Sequence, residues 1–174
     1  MARLVAEQRN EDAARTRARE RALRAAATTD ATLAGVIVDL AERAEPVAVR
    51  TTAGRSLTGR LLAVARDAVA LEAADATTYI PLSAIVVLRA RTRRADEPAG
   101  SRSMPAVSLA AVLAALAPER PTVGLMVAGD PTMWRGELRA VGADVLTLRL
   151  AADPPTTAHV ALTQVSELTV FASG

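Results

Sequence analysis

Two segments of this chain have nearly the same sequence pattern. Residues 59–71 read GRLLAVARDAVAL, and residues 136–148 read GELRAVGADVLTL. Glycine, leucine, alanine, valine, aspartate and a final leucine recur at one fixed spacing in both segments. A repeat of this length indicates two copies of one small folding unit, and it constrains the fold more than any other feature of the sequence.

The similarity continues on both sides of these segments, with small changes of offset. Residues 33–40 match residues 109–116, and residues 79–88 match residues 159–168. The residues gained in the second copy fall in turn-like stretches such as 153–155, which contains two prolines. Insertions in turns that leave the strands intact are expected of a duplicated domain.

Each copy is predicted to contain one helix followed by five short strands. Apolar residues recur at helical spacing up to Ala44, with Thr29 and Asp30 as candidate N-caps, and Ser108 is the candidate N-cap of a second helix over 109–117. Alternating segments bounded by turn residues follow each helix. The predicted strands are residues 47–51, 57–66, 68–73, 77–82 and 84–90, and then 121–128, 132–142, 144–151, 156–162 and 164–171.

The fold class is therefore mainly β with short helices, in tandem. The expected organisation is a charged N-terminal arm over 1–27, a first domain over 28–90, an Arg-rich linker over 91–104 and a second domain over 105–174. The arm lacks a continuous apolar stripe, and its sequence fits a solvated helix and a disordered segment equally well.

Each five-stranded unit is predicted to be a strongly bent sheet that closes on itself, because a flat sheet of five short strands cannot bury two faces. The bend requires small residues where backbones crowd, which accounts for Gly59 and Gly136. In the first copy one face of the second strand is expected to fill the interior, and in the second copy the matching face does the same. These interior residues are Leu57, Leu61 and Ala63, and Trp134, Leu138 and Ala140.

The composition excludes several functional classes. The chain has no cysteine and a single histidine, so disulfides, thiolate metal sites and the usual zinc or iron centres are not expected. Asp67 and Asp144 recur, but carboxylates in separate domains do not form an acid–base pair, and both are interpreted as turn residues that bond their own backbone. We expect no enzymatic activity, no catalytic or metal-binding residue and no cofactor.

Charge is unevenly distributed along the chain. The net charge is +2, with 21 basic residues that are all arginine and 19 acidic residues. Residues 1–27 and 89–103 are basic, whereas both repeats are slightly acidic, which argues against a nucleic-acid-binding face on the repeats themselves. The N-terminal residues are charged and contain no apolar segment typical of a secretion signal, so a cytoplasmic protein is expected.

A helix, five strands, a glycine in a long second strand and an aspartate before a short apolar strand together resemble the Sm-like small β-barrel of Sm, LSm and Hfq proteins. Other SH3-like barrels share this spacing. In the first copy the matching residues are Gly54, Leu57, Gly59, Leu61, Asp67, Val69, Leu71 and Ile85. In the second copy they are Trp134, Gly136, Leu138, Asp144, Leu146, Leu148 and Val165.

The resemblance implies tandem barrels, assembly through edge strands and RNA binding, but the RNA-contacting positions differ. Where the family has an asparagine after the aspartate, this chain has Ala70 and Thr147. Where the family has Arg-Gly or Lys-His before the last strand, it has residues 82–84 (LSA) and 162–164 (LTQ). The leading hypothesis is therefore a binding or assembly module whose partner is a protein, including other copies of itself.

Three aromatic residues are candidate interface residues. Tyr79 and His159 occupy equivalent positions and are either groove-flanking residues or half-exposed strand residues. Trp134 aligns with Leu57 and is expected in the core, with an exposed anchor at an interface as the alternative.

An alternative hypothesis is RNA or DNA binding of the Hfq type through arginines of the arm and the linker. An Arg-rich strip can hold phosphates without base specificity, although a solvated tether has the same composition, and no aromatic residues are interleaved for base stacking. The candidate nucleic-acid contacts are Arg89, Arg91, Arg93, Arg94 and Arg102.

Replacing Arg91, Arg93 and Arg94 with serine tests this alternative. If the linker binds phosphates, retention on a heparin column is salt-sensitive in the parent chain and is lost in the triple variant, because three cationic contacts are removed. Retention that is unchanged by the substitutions would rule out the linker as the binding site.

Overall fold

The described residues have a mainly β structure, built from ten antiparallel strands and short helices. The computed structural model describes residues 14–23, 25–26, 29, 31–73, 76–90 and 105–171. The predicted linker over 91–104 lies outside the described residues, as does much of the predicted arm, of which residues 14–23 are helical and exposed. No helix in the described part of the chain has the length and apolar character needed to cross a bilayer.

Each of the two copies consists of one helix followed by five strands. The first copy contains α1 (Leu33–Glu42), β1 (Pro46–Thr51), β2 (Ser56–Val64), β3 (Ala68–Ala73), β4 (Ala76–Pro81) and β5 (Ile85–Ala90). The second contains α2 (Leu109–Leu116), β6 (Thr122–Val127), β7 (Trp134–Val141), β8 (Val145–Leu150), β9 (Thr156–Ala161) and β10 (Val165–Phe171). Single 3-10 turns over Leu82–Ala84 and Leu162–Gln164 precede the last strand of each copy, and a third over Ala117–Glu119 follows α2.

The prediction of one helix and five strands per copy is confirmed, and so is Ser108 as the N-cap of α2, where its hydroxyl accepts a hydrogen bond from the Ala111 amide. The predicted N-cap of α1 is wrong. Thr32 has extended backbone angles and accepts from the Gly35 amide, because at this residue the chain changes from an extended to a helical conformation, whereas Thr29 is itself helical and Asp30 lies outside the described residues.

All ten strands belong to one sheet. Their order is β5-β1-β2-β3-β4-β10-β6-β7-β8-β9, so each copy contributes five neighbouring strands in the same internal order. The two copies are joined where β4 pairs with β10. The backbone ladders leave β5 and β9 at the two ends of this sheet and do not close either half upon itself.

Each half packs around its own aliphatic core. Helix α1 places Ile37 and Leu40 on its half, and α2 places Leu109 and Leu113 on the other. Burying a leucine or isoleucine side chain contributes about 1.5–3 kcal/mol, so these aliphatic clusters supply most of the driving force for folding. The first core also contains Val47, Val49, Leu61, Val69, Leu71, Ile80 and Ala84, and the second also contains Ala117, Val123, Leu125, Leu138, Leu146, Leu148, Val165 and Leu168.

The predicted interior face of the second strand is only partly correct. Leu61 and Leu138 are buried as expected, and Leu57 is half-buried. A shift of register lies between Leu61 and Ala63, and the equivalent shift in β7 follows Leu138. Because one extra residue in a strand reverses which side the following residues face, Ala63 and its counterpart Ala140 are exposed rather than interior.

The prediction that glycine permits backbone crowding is confirmed at the two equivalent positions of β2 and β7. A β-carbon at Gly59 would overlap the backbone carbonyl group of Glu72 on β3, and one at Gly136 would lie 2.6 Å from the carbonyl oxygen of Arg149. The backbone of the neighbouring strand therefore excludes any side chain at these positions.

Substituting Gly59 with alanine is expected to lower the free energy of unfolding by about 3 kcal/mol, because the added methyl group meets a backbone carbonyl rather than a mobile side chain. Gly142→Ala is the matched control, since its β-carbon would meet the Val145 side chain at 3.1 Å, and its cost should stay below about 1 kcal/mol. Urea denaturation measures both. Equal losses in the two variants would show that crowding does not explain the glycine.

Candidate functional site

The junction between the two halves is a strand pair with buried side chains. Leu168 of β10 lies opposite Tyr79 of β4, and Thr169 lies opposite Thr78. The Thr78 and Thr169 hydroxyl oxygens are 2.9 Å apart and form a hydrogen bond, and both threonines are buried. The register of β4 on β10 is therefore fixed by side chains as well as by the backbone.

A buried carboxylate adds a second set of contacts across the same junction. Glu167 on β10 is fully buried, and its carboxylate lies 2.7 Å from the Arg55 guanidinium of the β1–β2 turn. The Thr51 hydroxyl donates to the other carboxylate oxygen at 3.3 Å. Beside it, the Ser166 hydroxyl accepts from the Ala53 amide at 2.9 Å. These polar groups all link the first turn of one half to the last strand of the other.

Removal from water raises the pKa of Glu167, and the charge of Arg55 and the hydrogen bond from Thr51 oppose this rise. The dominant contribution is the loss of hydration of the carboxylate. Burial therefore disfavours the ionised form of Glu167 more than Arg55 and Thr51 favour it, which is a pattern expected of a group that specifies a particular contact rather than one that adds stability.

A turn-to-helix contact forms the third part of the junction. The Asp67 carboxylate, in the turn between β2 and β3, accepts a hydrogen bond from the Leu109 amide at the start of α2 at 2.7 Å. The adjacent Arg66 amide donates to the Val107 carbonyl oxygen at 2.8 Å. The interpretation of Asp67 as a residue that bonds only its own turn is thus wrong, because its carboxylate reaches an unsatisfied donor of the first helical turn in the other half.

The same turn packs into the neighbouring half. Ala68 is 1% exposed and belongs to the core that surrounds α2, not to the core of its own half. Beside it lies an apolar cavity of about 420 Å³ between the outer face of β2–β4 and the start of α2, lined by residues that include Ala70, Tyr79 and Val112. Burial raises the pKa of the Tyr79 hydroxyl, and no carboxylate or histidine is among the described residues that line the cavity.

Aliphatic side chains are exposed on the edge strand β5 and at the start of α1. On β5, Val86 is 58% exposed and Val87 is 42% exposed, and at the start of α1, Leu33 is 43% exposed. Leu109, the counterpart of Leu33, is only 5% exposed, because the neighbouring half covers it. Exposed aliphatic residues on a strand whose outer edge pairs with none of the described residues are typical of a surface that binds another polypeptide.

The candidate interface residues fall at different places. Tyr79 lies at the internal junction, whereas His159 is exposed on β9, at one end of the described sheet, where its ring nitrogen is 3.1 Å from the Thr147 hydroxyl. The expectation that Trp134 lies in the core is wrong. It is 41% exposed at the start of β7, and its indole N–H donates to the Asp130 carboxylate at 3.1 Å.

The Asp130 carboxylate also accepts a hydrogen bond from the Thr132 amide in the turn before β7. Hydrogen bonds from the backbone and the side chain of Thr132, together with the bond from Trp134, lower the pKa of the Asp130 carboxyl. Trp134 is thus positioned by its turn with much of its ring in solvent, which leaves the alternative of an exposed anchor open.

Of the five candidate nucleic-acid contacts, only Arg89 lies in the described part of the chain. Arg89 is exposed on β5 at the end of the sheet. Arg91, Arg93, Arg94 and Arg102 lie outside the described residues. Within the described ranges, no three histidine, aspartate or glutamate side chains are grouped in a way that could hold a metal ion.

The sequence patterns did not identify Glu167, Arg55 and Ser166 as junction residues. One signal was present: residues 165–171 read VSELTVF, in which a serine and a glutamate interrupt an otherwise apolar strand. Polar residues inside a buried strand indicate partners elsewhere in the fold, but the repeat alone does not say where. Comparison with known proteins finds no family model that matches this chain and no curated protein of significant sequence similarity.

Replacing Arg55 with methionine should destabilise the protein at neutral pH by about 2 kcal/mol, less than for a fully enclosed ion pair because the Arg55 side chain is 38% exposed. Without the guanidinium, the pKa of Glu167 rises further. A carboxyl whose pKa is raised by folding stabilises the fold when protonated and loses that contribution as the pH rises through the raised pKa.

The deficit of the Arg55→Met variant should therefore shrink as the pH falls below neutrality, as measured by thermal unfolding across a pH series. Adding Glu167→Gln to Arg55→Met is the control, and it should remove the pH dependence of the difference from the parent chain. A deficit that is constant with pH, in the variant with Glu167 intact, would show that Arg55 acts by packing alone.

Proposed function

We propose that the protein is a non-enzymatic binding and assembly module of the tandem Sm-like type, which acts through the free edges of its sheet. The observation that carries this proposal is the unpaired state of β5 and β9 in the described sheet, next to the exposed side chains of Val86 and Val87. An exposed aliphatic edge strand offers backbone donors and acceptors together with apolar surface to a partner strand.

The Sm-like assignment is supported by the arrangement within each half. Both halves have a helix before five strands, the same strand order and a second strand whose glycine lies against the backbone of the third strand. The sequence resemblance rests on the same features. Neither half presents the residues with which Sm-like proteins contact RNA, so the proposal assigns binding to protein contacts.

The central residues of β5 carry none of the usual devices that protect an edge strand. Strands that must not pair carry lysine, proline or inward-pointing charges that discourage a partner. The chain has no lysine, and the central residues of β5 are Val86, Val87 and Leu88. An edge of this composition is suited to a partner rather than to permanent exposure to water.

Substituting both Val86 and Val87 with lysine tests the proposal. The parent chain should sediment as a defined oligomer or with a stable partner, and the edge variant should sediment as a monomer, because two charges replace the apolar surface at the strand edge. Leu62→Lys is the control, since Leu62 is 53% exposed on β2, within the sheet, and the charge there should leave association unchanged.

Analytical ultracentrifugation measures the mass of each species, and far-ultraviolet circular dichroism verifies that each variant is folded. A parent chain that remains a monomer at high concentration and retains no partner in a pull-down would contradict the proposed function.

A further inference from the structure

We infer that the apolar cavity between the two halves binds a small, uncharged and mostly apolar organic molecule, which accepts one hydrogen bond from the Tyr79 hydroxyl. The cavity lies against β2, β3 and β4, which are inside the sheet, and away from the end strands β5 and β9. The inference therefore does not depend on the proposed function.

A row of small side chains across three strands creates the hollow. On the outer face of the first half, Ala63 of β2 lies opposite Ala70 of β3, and Ala70 lies opposite Tyr79 of β4. Side chains that lie opposite one another on neighbouring strands normally contact each other, but two methyl groups leave the space beside the tyrosine ring unfilled. All three residues line the cavity.

The start of the second half covers this row. The Arg66 amide donates to the Val107 carbonyl oxygen at 2.8 Å. The Leu109 amide donates to the Asp67 carboxylate at 2.7 Å. Val107, Leu109 and Val112 all line the cavity. Because these hydrogen bonds and the paired strands hold the lining in place, the site is formed before a ligand binds.

The size and composition of the cavity fit a small molecule. Its volume of about 420 Å³ lies within the range of about 300–1,000 Å³ that is typical of ligand pockets. Of the described residues that line it, only Thr77 and Tyr79 have a polar atom in the side chain. Water finds few hydrogen-bond partners in such a site, so an apolar ligand that displaces it gains the free energy of apolar burial.

The ligand is expected to be uncharged. None of the described lining residues carries a carboxylate, a guanidinium or an imidazole group. Moving an ion from water into an apolar site is costly unless an opposite charge pairs with it. A carboxylate, phosphate or ammonium group would have no such partner in this cavity, whereas a ketone or an ether would avoid this cost.

Tyr79 supplies the one directional contact. Among the described residues, no hydrogen bond to its hydroxyl is seen. Burial raises the pKa of this hydroxyl, so the phenol is protonated at neutral pH and can donate. A half-buried donor without a partner is unfavourable, and a ligand that carries an acceptor removes that deficit.

The second copy shows that this arrangement is specific to the first. Its corresponding row is Ala140, Thr147 and His159, with the same pairing. There the Thr147 hydroxyl and a His159 ring nitrogen are 3.1 Å apart, and His159 is exposed. Ala70 stands where the second copy has Thr147, so Tyr79 lacks the neighbour that His159 has, and an apolar hollow lies beside it.

A polypeptide fits this site less well than a small molecule does. A peptide that docks on a sheet pairs its backbone with an unpaired edge, but β2, β3 and β4 are each paired on both sides. Backbone groups brought into the cavity would meet mainly apolar side chains and would lose their hydrogen bonds to water.

Equilibrium dialysis of the full-length chain against three probes with one ring system tests the inference. Acetylnaphthalene is neutral and has a carbonyl acceptor, ethylnaphthalene has a similar shape without an acceptor, and naphthoate is ionised. Both neutral probes should bind, and naphthoate should not bind at concentrations at which acetylnaphthalene saturates the chain. Bound acetylnaphthalene should also raise the midpoint of thermal unfolding.

Tyr79→Phe tests the hydrogen bond. This variant should bind acetylnaphthalene about fivefold more weakly than the parent chain, because one hydrogen bond is lost, and it should bind ethylnaphthalene as the parent chain does. Equal affinities of the parent chain and Tyr79→Phe for acetylnaphthalene would overturn the assigned contact.

Ala70→Leu tests the location, because the larger side chain fills the space in which the ligand lies. This variant should lose the binding of both neutral probes. Ala140→Leu is the matched control, since it makes the same substitution in the corresponding row of the second copy, and it should bind as the parent chain does. Circular dichroism verifies that both variants are folded.

Three results would overturn the inference. Neutral probes that do not bind the parent chain would leave the cavity to an apolar side chain of a polypeptide. Binding that persists in folded Ala70→Leu would place the probes elsewhere on the molecule. Naphthoate that binds as tightly as acetylnaphthalene would reject an uncharged ligand. None of these results bears on association through the edge strands, which ultracentrifugation measures separately.

Discussion

The pairing of β4 with β10 is the interaction on which the rest of the architecture depends. It converts two five-stranded units into one sheet, and it places a different strand at each end of that sheet. The burial of Leu168 and of the Thr78–Thr169 hydrogen bond follows from it, as does the position of Glu167 beside Arg55. Without this strand pair, each half would expose two edge strands, and there would be no single sheet with two distinct ends.

The polar groups of the junction specify the register in which its strands pair, whereas its aliphatic groups stabilise the pair. Alternation of side chains does not by itself distinguish a register from one shifted by two residues, because such a shift keeps every side chain on the same face. The Glu167 carboxylate has its guanidinium partner in only one register, and a slip would leave a charge buried without compensation. The elevated pKa of this carboxyl reflects the cost of that selectivity.

Much of the fold could be predicted from periodicity, and much of the site could not. Alternation and turn residues located all ten strands, and the burial of Leu61 and Leu138 followed from their shared phase. The register shift after each leucine was not predictable, because the sequence of a bulged strand still alternates. Asp67 was assigned to its own turn since sequence shows only local neighbours, whereas its donor lies 42 residues away. Trp134 followed the repeat to a core position, but its turn and Asp130 hold the ring at the surface.

The burial of Ala68 in the core of the other half has a consequence for how the chain comes apart. This residue seals the aliphatic interior around α2, so unfolding of the first half opens the second to water at the same moment. The loss of β4 also removes the neighbour of β10. Unfolding of either half alone would expose apolar side chains of the other half to water. The duplicated chain should therefore unfold as a single cooperative unit rather than as two independent domains.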